Sequence, residues 1–321
     1  MSPEPIPPID ASKIPRFSGV RTFARLPLRE QAPTVDVAIL GAPFDGGTTF
    51  RAGTRYGPAG IREASLLLRP YNDAVDVSPF AICQVVDAGD AAPNPIDITQ
   101  AHRSIQESAA EIHDAGGRVL GLGGDHSVSL PLLRAAAAKH GPLSLLQFDA
   151  HTDTWDSYFG MKLTHGTMFR RAVEEGAVRG DTSVQIGLRG STYEPDDYTA
   201  NAELGFTTLM ARDFDATGVG GAIDLALRTL RPPVYITVDI DCLDPAFAPG
   251  TGTPEAGGLT SRELLAMLRG LARRIDIAGA DVVEVSPPYD PTGCTAIAGS
   301  NAAYELISLL ALSQVAARGG G

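Results

Sequence analysis

The chain has 321 residues, 44% of them hydrophobic and 20% charged, which argues against disorder outside the ends and allows either one large α/β domain or two modest ones. Its formal net charge of −12 gives no basic footprint, which argues against nucleic acid and anionic membranes as partners and suits a small cationic ligand. Three widely spaced cysteines, Cys83, Cys242 and Cys294, form no Cys-x-x-Cys pair; they indicate neither a disulfide framework nor a thiolate zinc site and are expected to be buried.

Residues 1–34 are proline-rich and without sustained period, so an irregular arm is expected, draped over the body or a neighbouring subunit. The start, "MSPEPIPPIDASKIPRF", lacks the apolar centre of a signal peptide, and no apolar run reads as a bilayer span, so a cytoplasmic protein is expected. From Val35 onward, short β-branched runs alternate with helical patterns, the signature of βα units on a mostly parallel sheet. Strands are predicted in "VDVAILG" from Val35, "CQVVDAG" from Cys83, "GRVLGLGG" from Gly117, "PLSLLQFDA" from Pro142, "SVQIGLRG" from Ser183, "PVYITVDID" from Pro233 and "IAGADVVEVS" from Ile277. Helices are predicted over 99–115, 127–140, 261–274 and about 301–317. Nothing marks a second boundary within 35–321, so the expected class is a single-domain three-layer α/β/α fold with a mostly parallel central sheet.

In such a sheet, sites form at the carboxyl ends of strands, and several predicted strands end there in polar or Gly-rich clusters: "GGDHS", "DAHTD", "GLRGS", "DIDCLD" and "EVSPP". Side chains alternate along a strand, so Asp149, His151 and Asp153 project to one side if the extended backbone persists through them, and Asp239 and Asp241 repeat the spacing. A lone Asp-x-Asp is usually a turn or a cap. Converging carboxylates, however, repel strongly in low dielectric unless cations sit among them. Carboxylates with imidazoles and no thiolate suit a moderately hard divalent ion, manganese first, with magnesium, nickel or iron as alternatives. Adding His126 makes six ligands, too many for one ion with open positions and suited to two ions that share carboxylates. Asp125 and Asp244 read as loop stabilisers, and His102, His113 and His140 as exposed or capping residues. Glu284, near the end of an apolar strand, is suspicious because a buried unpaired carboxylate is costly.

Taken in order, "GTRYGPAGIREAS", "GGDHS", "DAHTD", "THGTMF", "DIDCLDPAFAPGTGTPEAGG" and "VVEVSPPYD" resemble the ureohydrolase superfamily of arginases, agmatinases and guanidino-acid hydrolases, from about Phe17 to the C-terminus. The resemblance implies an arginase-like catalytic domain over 35–321 and two Mn2+ per subunit. His126 and Asp153 would be terminal ligands of one ion, His151 and Asp241 of the other, with Asp149 and Asp239 bridging. His165 matches the active-site histidine and Glu284 the glutamate that grips the guanidinium. Two bound ions lower the pKa of water from about 15.7 towards 7, which provides a nucleophile for the poorly electrophilic guanidinium carbon. Asp153 would orient that nucleophile, Glu284 would hold the substrate N–H groups, and His165 would exchange a proton with the leaving amine.

Arginases place an asparagine two residues after the last Asp of the "DAH-x-D" motif; Trp155 stands there, so arginine is not expected and Trp155 becomes a candidate substrate contact. The flanking motifs read closest to agmatinases, which make putrescine and urea from agmatine, with guanidinobutyrase or guanidinopropionase as the alternative. A distal ammonium would suit Glu194, Asp196 or Asp197, and a distal carboxylate Arg189 or Lys162; the more numerous acids tilt the expectation to agmatine. The specificity elements are expected in 155–163 and in "STYEPDDY" from Ser191. A one-zinc deacetylase-type hydrolase and a non-catalytic binding subunit are the rivals, and the complete ligand set argues against both. "GLGGD" lacks a Walker lysine, and the resemblance implies a homo-oligomer, a trimer or hexamer.

Overall fold

Eight strands form one sheet in the computed structural model, which describes residues 4–194 and 197–319. They are β1 (Val37–Ala42), β2 (Val85–Asp90), β3 (Arg118–Gly123), β4 (Ser144–Phe148), β5 (Val184–Leu188), β6 (Thr207–Met210), β7 (Val234–Asp239) and β8 (Ile277–Val283). Their order is β2-β1-β3-β8-β7-β4-β5-β6 and every pairing is parallel. A parallel sheet covered on both faces wants near-continuous apolar strands, and β1, β3, β4, β5, β7 and β8 are buried throughout.

Alternation sorts these strands between two cores. Val37 and Ile39 of β1, Leu120 of β3 and Ile236 of β7 pack with Leu306, Ile307 and Leu310 of the helix Cys294–Gly319. Ala38 and Leu40 of β1, Val119 of β3 and Tyr235 of β7 face the other way, with Ile105 of helix Ile98–Asp114 and Leu132 of helix Ser129–His140. Each fully buried Leu or Ile contributes about 1.5–3 kcal/mol, so a register slip would forfeit both cores. The three-layer expectation holds.

Several boundaries differ from the sequence reading, for local reasons. β6 was not foreseen: it is a four-residue edge strand with no clean alternation. Helix Phe214–Thr229 was missed because Gly218, Gly220 and Gly221 weaken its helical signal, and Gly218 kinks it with φ +62°. Helix Ser261–Gly270 starts from a reciprocal Thr260–Glu263 capping box, and Arg273, at φ +60°, stands in the left-handed region beyond its end, so the helix does not reach 274. The last helix begins at Cys294, where Asp290 accepts hydrogen bonds from the backbone N–H groups of Thr292, Gly293 and Thr295. That helix is long and apolar enough to cross a bilayer, contrary to the sequence reading, but most of it is packed inside the protein.

The N-terminal arm carries two 3-10 turns, Phe23–Arg25 and Arg29–Gln31, and adds Phe23 and Leu26 to the core. Phe23 N–H donates to Asp87 (2.7 Å), whose carboxylate also receives Arg62 (2.9 Å). Two residue expectations need correcting. Cys294 is exposed, because it opens a helix, whereas Cys83 and Cys242 are buried. His102 and His113 are also buried: His102 packs edge-on to Phe44 and lies 3.3 Å from Ser127 Oγ, and His113 bonds the Gly117 carbonyl.

Candidate metal centre

The four strands β3, β8, β7 and β4 are neighbours at the middle of the sheet, and their carboxyl ends carry the chemistry. Phe148 pairs with Val238 and Asp239 with Val283, so Asp149, Asp239 and Glu284 emerge nearly level by register alone. His126 arrives from the turn after β3, where Asp125 caps the N–H of Ser127 and accepts that of Gly47. Gly124 is obligatory there, since a Cβ at that position would lie 1.7 Å from the Phe44 carbonyl oxygen. The tight approach lets Gly124 accept the Glu284 N–H at 2.9 Å. Asp125 is thus a loop stabiliser, as is Asp244, which accepts N–H groups of Ala246 and Gly257.

Six of the predicted side chains form two groups able to hold a metal ion: His126, Asp149, Asp153 and Asp239, and Asp149, His151 and Asp241. Asp149 is common to both. Asp239 stands in the first group, and its other oxygen accepts the Asp241 N–H at 2.8 Å, as an Asp149 oxygen accepts the His151 N–H at 2.6 Å. The extended backbone does not persist past β4. Asp153 reaches the group with φ +55°, and its carbonyl accepts the N–H of Phe169 at 3.1 Å. Glu284 has φ +61°. A non-glycine residue in that region costs about 1–3 kcal/mol, held only where the surroundings over-determine it, and such residues cluster at functional sites.

The first group fits a divalent cation, and the geometry of His126 is the reason. Its Nε2 lies 2.8 Å from Thr237 Oγ1, whose hydroxyl donates to Asp281 Oδ1 at 2.6 Å, so Nε2 carries the hydrogen and Nδ1 presents a lone pair. That Nδ1 is buried, has no hydrogen-bond partner, and lies 3.0, 2.9 and 3.1 Å from oxygens of Asp149, Asp153 and Asp239. A lone pair facing three carboxylates is repulsive unless positive charge lies between them. Burial together with the charge of Asp149 pushes Asp153 up to about 6, and burial with the charges of Asp241 and Asp149 holds Asp239 well above the usual carboxylate range. In the second group His151 Nδ1 lies 3.1 Å from Asp241 and 3.5 Å from Asp149.

Beside this cluster, His165 is held at both nitrogens: Nδ1 lies 2.9 Å from Glu284 Oε1, and Nε2 lies 2.7 Å from Thr49 Oγ1 and 3.2 Å from Thr49 N. Burial disfavours a charged ring, but the Glu284 carboxylate more than offsets it and pushes His165 up to about 9. A second proton on Nε2 would nevertheless meet the Thr49 N–H head-on. Glu284 Oε1 also accepts the His126 N–H at 2.9 Å, while Oε2 is buried without a partner.

A cavity of about 570 Å³ opens over the group, with His151, Asp153, Asp239 and His165 in its lining. Trp155, Tyr158 and Tyr193 form an aromatic wall, with Trp155 5.2 and 5.7 Å from the two tyrosine centroids. The candidate specificity charges are elsewhere. Among the described residues, neither Glu194 nor Asp197 lines the cavity; Asp197 accepts the Tyr193 N–H at 2.9 Å, and Asp196 lies outside the described residues. Arg189 is spent on backbone carbonyls of Asp241, Glu255 and Leu243, clamping the loop under the second group, and Lys162 is exposed beside Asp156. The cavity has Arg51 and Glu255 instead, and Thr49, which the sequence reading missed. The signal of Thr49 and Arg51 was the polar Gly-rich segment "GGTTFRAG" after β1, and that of Thr237 and Asp281 was a polar residue inside an apolar strand; Glu255 lies in "TPEAGG".

A profile of the Arginase family matches residues 35–308. Guanidinopropionase of Pseudomonas aeruginosa is 47% identical over 95% of this chain and 96% of its own length, and guanidinobutyrase of the same organism 43% identical over 94% and 96%. A mitochondrial agmatinase of Gallus gallus is 42% identical over 95% and 89%. The solved proclavaminate amidino hydrolase from Streptomyces clavuligerus superposes with a TM-score of 0.89 at 41% identity, covering 94% of this chain and 100% of that one. With the sheet, the cluster at its centre and these likenesses in agreement, the chain belongs to the arginase family of ureohydrolases.

Proposed function

We propose that this enzyme of the guanidino-hydrolase family acts on an ω-guanidino carboxylic acid of the size of 3-guanidinopropionate or 4-guanidinobutyrate, releasing urea and an amino acid. The observation that carries this over agmatine is the charge of the cavity wall. Among the described residues, Glu194 and Asp197, expected to welcome an ammonium, do not line it, whereas Arg51 does, and Glu255 keeps its carboxyl against the Gly190 backbone. The likeness to guanidinopropionase and guanidinobutyrase points the same way.

Two divalent ions, manganese by preference, supply a nucleophile at neutral pH when bound and offset the carboxylate charge. His126, Asp149, Asp153 and Asp239 would hold one, and Asp149, His151 and Asp241 the other. Glu284 offers the unpartnered Oε2 to the guanidinium N–H groups, a charge-assisted pairing that fixes the carbon for attack. Asp153 orients the nucleophile from the edge of the cavity. His165 exchanges a proton with the leaving amine at Nε2, and the aromatic wall accommodates the alkyl spacer.

The test is urea release by manganese-loaded protein offered 3-guanidinopropionate, 4-guanidinobutyrate, agmatine and arginine. A guanidino acid is expected to exceed agmatine in kcat/KM by about tenfold or more, equivalent to about 1.4 kcal/mol. Agmatine in first place would overturn the charge reading and leave the hydrolase chemistry intact.

A further inference from the structure

Thr49 approaches His165 with two groups of unlike character. Its backbone N–H, 3.2 Å from Nε2, can only donate, so it requires a lone pair on Nε2. Its hydroxyl, 2.7 Å away, then faces the same lone pair and donates as well. At the other side of the ring, the Glu284 carboxylate oxygen 2.9 Å from Nδ1 accepts a hydrogen. The tautomer with its hydrogen on Nδ1 satisfies all three contacts. The opposite tautomer would set N–H against N–H at one end and a lone pair against a carboxylate at the other.

We infer that Thr49 is a positioning residue for His165: its N–H opposes the second proton that Glu284 draws to the ring, so that the hydrogen stays on Nδ1 and Nε2 turns its lone pair to the cavity edge. The loop that carries Thr49 is pinned for this purpose at two further points. Gly47 accepts the His165 N–H at 3.0 Å, and its own N–H donates to Asp125 at 2.7 Å. Thr49 also lines the cavity, so its hydroxyl stands where an arriving amine nitrogen would compete for Nε2. A histidine that exchanges protons works only in the tautomer and orientation its neighbours impose.

This inference rests on the hydrolase reading, in which His165 exchanges the proton, and not on which guanidino compound is the substrate. Its test uses the full metal-loaded chain, the guanidino compound the wild type turns over best, and the variants Thr49→Val and Thr49→Ser. Loss of the hydroxyl in Thr49→Val should lower kcat by about tenfold or more. KM should stay within about threefold, because the substrate grip belongs to Glu284. Thr49→Ser should recover most of kcat. Independently of turnover, the two ring nitrogens of 15N-labelled histidine report the tautomer: wild-type His165 should show hydrogen on Nδ1, and Thr49→Val, which keeps the backbone N–H, should keep that tautomer with a shifted Nε2 signal from loss of the hydroxyl. A Thr49→Val enzyme as fast as wild type, or a wild-type ring with its hydrogen on Nε2, would overturn the assignment. If the wild type releases urea from no guanidine, the hydrolase reading fails instead, and the spectrum alone still decides the role of Thr49.

Discussion

The floor and the wall of the cavity are built on different principles. The floor is set by strand register: Asp149 and Asp239 each follow directly from, or end, a buried strand, and Glu284 comes one residue after another. Neighbouring strands hold these positions to within the precision of a hydrogen-bonded ladder. The wall is made of loops, 155–163 and 189–194 and the segment after β1, whose side chains find partners wherever the chain happens to bring them. Rigid positions suit chemistry that every member of such a family must perform; loops suit the part that distinguishes one substrate from another.

The contrast is broken most severely at the floor. Asp149→Asn removes the acid common to both metal groups and leaves buried charges without a partner, which costs about 3–5 kcal/mol. Manganese binding by titration calorimetry and urea release should both fall by roughly 10^2- to 10^3-fold. If the variant keeps wild-type manganese affinity, the cluster is not the metal centre.

A change at the wall should separate binding from chemistry. Arg51→Gln removes a guanidinium that sits 5.3 Å from the Phe50 ring centroid and 5.2 Å from that of Tyr289. KM for a guanidino acid should rise by about tenfold with kcat nearly unchanged, the pattern for lost uniform binding. Agmatine turnover should be unchanged or better. A fall in kcat without a rise in KM would place Arg51 with the floor.

The smallest effect belongs to neither region. Burial, with the charge of nearby His140, lowers His113 to about 4. Between pH 6.5 and about 4 the unfolded chain binds a proton there that the folded chain does not, so stability is lost as pH falls through that window. In urea unfolding from pH 6.5 to 5, wild type should lose about 2 kcal/mol more than His113→Gln, at equal metal and protein concentration. Equal losses would show that His113 takes up its proton without unfolding.

Much of the floor was legible because strand ends announce themselves. An apolar run that stops at "DAHTD" or "DIDCLD" places acids where a parallel sheet opens, and repulsion among them demands a cation. The wall was not legible by the same means. The acids of "STYEPDDY" look like partners for an ammonium, yet Asp197 is turned onto the backbone of Tyr193, and Arg189, a candidate for a carboxylate, is consumed by carbonyls. Counting charges in a loop says nothing about which of them already have local partners. His102 and His113 were misjudged for a related reason: a helical pattern shows a face but not what the opposite element places against it.

From residue order alone, hydrophobic periodicity determined the parallel α/β class, and the spacing of Asp and His determined that acids and imidazoles able to hold a divalent metal gather at the strand ends, since both follow from local stereochemistry and charge. Only the tertiary structure decided that Asp149 is the acid common to both groups, that Asp153 and Glu284 arrive with positive φ, and that Thr49 and Arg51 join the site. Those outcomes depend on crossovers that bring residues more than a hundred positions apart within hydrogen-bond reach, as in the 116-residue separation of Thr49 from His165. No periodicity carries that information, because it resides in how the layers close over one another.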